Sequence, residues 1–148
     1  MELTKLALLY ALLSAYCLAG CLMEHFTLFY AWTLTTTSQD LARIQTATGK
    51  RAMCIYVVPK ILVTLLPAYL LFSSDALFIS RGSSWTSLVF LGVSWASSFL
   101  VQVRLQLRIQ ESKGTDRVAL ERLVRTTWVR TLAMVGHCAV VGYGVYAA

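Results

Sequence analysis

From Leu6 to Met23 the chain carries no charged residue. Roughly 20 apolar residues carry a helix across a hydrocarbon core, so this one run constrains the fold more than any motif does. Three more apolar segments follow, over about 52–72, 85–103 and 127–146. Composition agrees. Of 148 residues, 57% are hydrophobic and only 14% charged, where a soluble domain has about a quarter charged. Backbone groups in lipid must be satisfied within their own segment, which favours helices. The segments are also too continuous for barrel strands, which alternate. The expected fold is all-α: a four-helix integral membrane bundle with short loops, one transmembrane domain over 1–148. Its helices are expected at about 3–32, 52–72, 85–110 and 116–146. The leader MELTK does not read as a signal peptide.

Basic residues set the expected orientation. Arg43, Lys50 and Arg51 lie between the first two segments. Arg104, Arg108, Lys113, Arg117, Arg122, Arg125 and Arg130 surround the third connection. Only Lys5 and Arg81 fall on the other side. The positive-inside rule then places both basic loops in the cytoplasm and both chain ends outside, as a multi-pass protein of a bacterial inner membrane. The formal net charge of +6 tracks membrane edges, so nucleic acid is not an expected partner. The first basic loop, from Ser38 to Gly49, reads as a short interfacial helix. The chain is expected to turn at Gly114, with the last helix starting near Asp116.

Charges within a membrane are costly and tend to face the bundle interior. The residues that stand out are Glu24, His25, Lys60, Gln102, Gln106, Arg130 and His137, all expected in the cytoplasmic half. Thr127, Arg130, Met134 and His137 recur at helical steps on the last segment. Trp95, Ser98, Gln102 and Gln106 do so on the third. Pro59 and Pro67 bend the second segment and open space beside Lys60. Glu24–His25 has two readings. Either the first crossing ends at Met23 and FTLFYAW is an aromatic belt, or the helix continues to Trp32 and Glu24 turns inward to pair with Arg130 or Lys60. His137 has the ordinary reading of a satisfied core histidine. Cys17, Cys21, Cys54 and Cys138 read as small packing residues, and the small residues Ser94, Ser97, Ser98, Gly136, Ala139, Gly142 and Gly144 as helix-packing surfaces.

Gln102, Leu105, Arg125, Thr126, Trp128, Arg130, Thr131 and His25 form a pattern, Q-x-x-L followed by R-T-x-W-x-R-T, that resembles small bacterial four-helix membrane proteins. More distantly the chain is similar to DUF1772, anthrone-oxygenase-like proteins. The resemblance implies the same fold and a small membrane enzyme acting on a lipophilic substrate.

Three functions are open at this point. In the first, an intramembrane enzyme acts on a lipophilic small molecule. Glu24, His25, Lys60, Arg130 and His137 would do acid–base work, and Trp32, Trp95, Gln102, Gln106, Thr127, Trp128 and Met134 would line the site. The second is a non-catalytic subunit or assembly factor of a membrane complex. The third is a b-type haem or redox protein using His25 and His137. No metal site is expected, because a second nearby acid and standard ligand spacing are missing. The sequence fixes no cofactor. Expected partners are the bilayer, an apolar small molecule and, as an alternative, further copies of the chain.

Overall fold

A computed structural model describes residues 2–34, 40, 43, 53–72, 79–113 and 115–147. Every regular element in it is helical. The elements join into four rods. The first rod is α1 (Glu2–Met23), a π-helical turn π1 (Glu24–Phe29) and α2 (Tyr30–Leu34). The second is π2 (Met53–Val57) and α3 (Val58–Phe72). The third is α4 (Arg81–Ala96), π3 (Ser97–Gln102) and α5 (Val103–Glu111). The fourth is the single helix α6 (Arg117–Ala147).

The rods pack in a ring, each against its chain neighbours, with the fourth closing onto the first. Contacts fix neighbouring rods as antiparallel. Ser14 meets His137 and Glu24 meets Arg130 between the first and fourth, and Lys60 meets Ser98 and Thr64 meets Trp95 between the second and third. Of the expected interfacial helix from Ser38 to Gly49 only Asp40 and Arg43 are described, both helical; the rest of it, the turn residue Gly114 and the Cys54 side chain lie outside the described residues.

Buried positions follow alternating steps of three and four. On the fourth rod these include Leu120, Leu123, Thr127, Arg130, Met134, His137, Val141 and Gly144. On the first rod they include Ala7, Tyr10, Ser14, Cys17, Cys21 and Glu24, and on the second Lys60, Val63, Pro67 and Leu70. This spacing keeps one stripe of each helix on its neighbours, as in supercoiled bundles. The third rod breaks the pattern. Its buried stripe runs Ser84, Ser87, Leu91, Ser94, Ser97 and then Gln102. The five-residue step from Ser97 to Gln102 is the π turn itself, which re-aims everything beyond it. The expected stripe of Trp95, Ser98, Gln102 and Gln106 is therefore corrected: Gln102 is buried, and the other three are only half-buried.

Close approach depends on small residues. A Cβ at Gly20 would sit 2.7 Å from the Tyr56 ring, and one at Gly136 would sit 2.6 Å from Phe90. Ala139 and Gly142 face outward instead, so those two do not serve as packing surfaces.

Three described helices are long and apolar enough to cross a membrane: Lys5–Thr27, Ile55–Phe72 and Arg81–Glu111. The fourth rod is less apolar than expected. Its seam holds Thr127, Arg130, Thr131 and His137, all buried. Those side chains lower its apolarity but contact other helices. The third rod begins at Arg81 rather than near Trp85, because Ser80 caps it, accepting from the Ser83 N–H at 3.1 Å.

At the far end, Ile109 packs with Ala119, Leu120 and Leu123. Asp116 caps the fourth rod there, accepting from the Ala119 N–H at 2.9 Å and from Arg108 Nε at 2.6 Å. The Ala119 hydrogen bond and then Arg108 hold the Asp116 carboxyl below its ordinary pKa. A folded-state value below the unfolded one means the contribution is complete above the ordinary carboxylate range. It fades as pH falls through the depressed value. The protection factor of the Ala119 amide, its exchange relative to a free peptide at the same pH, is expected to fall under acid in the native protein. In Asp116→Ala, which removes the cap, it should already be low at neutral pH and lose that acid response.

Candidate functional site

The first rod does not stop at Met23. Thr27 Oγ1 donates back to the Met23 carbonyl, and the chain passes through π1 and on to Leu34. Continuation puts Glu24 on the buried stripe, one step beyond Cys21. There it forms an ion pair with Arg130 Nη2. Both residues are 8% exposed. The inward reading of Glu24 is therefore the geometry, and the aromatic-belt ending is corrected. Burial of either charge alone would be expensive, and each offsets the other.

Lys60 is also 8% exposed. Its Nζ donates to Ser98 Oγ at 3.3 Å and lies 4.4 Å from the centre of the Trp95 ring. Trp95 is held in turn by its indole N–H, which donates to Thr64 Oγ1 at 3.0 Å. Among the described residues Lys60 has no acidic partner. Its charge is met by a hydroxyl and an aromatic face, an arrangement that accepts a cation without neutralising it.

Glu24, Arg130 and Lys60 line one cavity of about 30 Å³ between the first and second rods. Tyr16, Cys17 and Cys21 complete its first-rod wall, Ile55 and Tyr56 its second-rod wall, and Met134 its floor on the fourth. Tyr16 and Ile55 are exposed on the outside of the bundle, so they mark the mouth. The cavity exists where Gly20 lets the Tyr56 ring lie against the first rod. Two of the three π turns, π1 and π2, border it. Such turns are frequent at functional sites because they displace side chains from the regular helical face.

The other expected residues are distributed elsewhere. His137 is fully buried and satisfied at both nitrogens, by Ser14 Oγ at 3.0 Å and Ser87 Oγ at 2.8 Å. Ser87 also meets the Tyr10 hydroxyl at 3.0 Å. This chain of four side chains joins three rods, and its geometry is that of a core histidine. His25 is buried but does not line the cavity. Its ring packs on Phe26 and Trp128, with centroids at 4.9 and 4.3 Å. Gln102 donates to Thr127 Oγ1 at 3.5 Å, away from the cavity wall. Gln106 is half-buried and Trp128 exposed. The Trp32 side chain lies outside the described residues.

Polar burial is also not confined to one half, as had been expected. Tyr10, Ser14, Ser84 and Ser87 are buried toward the opposite end. Sequence reading missed them because an isolated serine or tyrosine in an apolar run carries no charge to mark it. Tyr16 was missed for the same reason, and Ile55 because an apolar residue in an apolar run carries no mark. No group of three or more potential metal ligands gathers among the described residues.

Family models, curated proteins and solved structures give no match to this chain. The site is therefore read from its own geometry.

Replacing Arg130 with Met should destabilise strongly, by roughly 3–5 kcal/mol, because it strands a buried carboxylate. The double variant Glu24→Gln with Arg130→Met should recover most of that loss. Thermal unfolding in mild detergent reads both. Equal midpoints for the single and double variants would mean that the pair does not hold the bundle.

Proposed function

We propose that this is a multi-pass membrane protein with an intramembrane acid–base site for a lipophilic small molecule. The observation that carries the reading is the pairing of an apolar exterior with a charged cavity. Leu9, Leu100 and Leu132 are each about 60% exposed, while Glu24, Lys60 and Arg130 are buried around one cavity. In water that distribution opposes the hydrophobic effect. In lipid it is the stable arrangement, since the outer side chains meet hydrocarbon and the charges meet each other. The three apolar helices support the same placement. Exposed Arg104, Arg108, Lys113, Arg117, Arg122 and Arg125 all belong to the end carrying the turn between the third and fourth rods. By the positive-inside rule that end is cytoplasmic. A bacterial inner membrane and outward termini belong to the same proposal.

In this site Glu24 is the proton acceptor. A substrate entering past Tyr16 and Ile55 gives a proton to its carboxylate, and the negative charge left on the substrate faces Arg130 and Lys60. Fixed cations in a water-poor site stabilise such developing charge well. His25 and His137 have no step in this scheme. His137 is held by two serines, so ligation of a haem iron would require giving up one of them. The geometry favours the acid–base reading over that one.

One observation favours a second reading, a structural subunit of a membrane complex: the cavity holds only about 30 Å³, far below the 300–1,000 Å³ typical of sites that enclose a whole ligand. Lipid extracts of cells producing the wild-type protein or Glu24→Gln separate the two. An enzyme is expected to show a lipid-soluble product that disappears in Glu24→Gln at equal protein level. Identical extracts would overturn the enzymatic reading.

A further inference from the structure

The charges around the cavity do not balance. Its wall holds one carboxylate, Glu24, and two cationic side chains, Lys60 and Arg130. Glu24 is spent on Arg130 Nη2. Among the described residues, Arg130 Nε stays buried without a hydrogen-bond partner, and Lys60 has only Ser98 and the Trp95 face. Buried donors and charges in native proteins are nearly always satisfied, so unmet ones of the same sign on one cavity point to a missing acceptor. Size narrows what that acceptor is. About 30 Å³ accommodates on the order of two waters. A carboxylate head, about the size of two waters, fits that space. The mouth narrows it again, because Tyr16 and Ile55 are exposed on the apolar outside of the bundle. A ligand entering there keeps its apolar part in the surrounding hydrocarbon. The small volume, which counts against a fully enclosed substrate, suits a ligand that inserts only its head.

We propose that the cavity binds the carboxylate of a membrane-dissolved amphiphile, such as a long-chain fatty acid, between Lys60 and Arg130, with its tail leaving between the first and second rods. This rests on the reading of the same cavity as a small-molecule site, but it does not depend on turnover. An amphiphile bound without reaction would leave the lipid extracts of wild type and Glu24→Gln identical and still satisfy the binding test.

The test is binding of radiolabelled oleate to the full-length protein in mild neutral detergent. Wild type is expected to retain about one oleate per chain. Oleyl alcohol, which has the tail without the charge, should not compete. Acetate, which has the charge without the tail, should compete only at concentrations at least about a hundredfold higher. Lys60→Met, an apolar replacement of similar length that an apolar interior tolerates, should weaken binding tenfold or more, and Lys60→Arg should restore it. Ile55→Trp, which fills the mouth and leaves both cations in place, should also block binding. Equal competition by oleyl alcohol, or unchanged binding in Lys60→Met, would overturn anion recognition. Acetate competing as well as unlabelled oleate would overturn the membrane-borne ligand and leave a small soluble anion.

Discussion

The ion pair between Glu24 and Arg130 is the interaction on which the rest of the bundle depends. It ties the end of the first rod to the fourth across the interior. Alone, either charge would have to reach water or be neutralised. Together they allow a polar interior inside an apolar shell. The first rod has to continue beyond Met23 for the pair to form, and π1 is where it does so. The cavity then forms between that pair and Lys60, against the second rod.

A second constraint is satisfaction of polar groups without water. His137, Ser14, Ser87 and Tyr10 close a hydrogen-bonded chain across three rods. Such networks specify how helices pair, because a slipped register would leave several buried groups unmet. The network near His137 is complete, whereas the cavity near Lys60 is not. That contrast sets the satisfied structural cluster apart from the one proposed to take a ligand.

Much of this was legible in the sequence. The four rods follow from the apolar runs, and the inward faces of Arg130, Met134 and His137 follow from steps of three and four. Glu24 was legible as a charge that needed a partner at its own depth. The register of the third rod was not, because a π turn leaves no mark in a local pattern of serines and apolar residues. Periodicity put Trp95 and Gln102 on one face, and the extra residue of the turn between them breaks that face. The partners of His137 were hidden because serines serve equally as packing residues and as donors. The lower apolarity of the fourth rod follows from the same cause: its polar side chains are buried against helices, and a linear count treats them as exposed to lipid.

The measurement that tests the central claim most directly is the environment of Leu132, two residues beyond Arg130 and 62% exposed. A nitroxide placed there in protein reconstituted into liposomes reports which relaxation agents reach it. If the shell faces hydrocarbon at the depth of the buried charges, oxygen will relax the label efficiently and a water-soluble nickel chelate will not. If the nickel chelate relaxes it as well as oxygen does, Leu132 faces water. The account of an apolar shell around a charged intramembrane cavity would then be wrong.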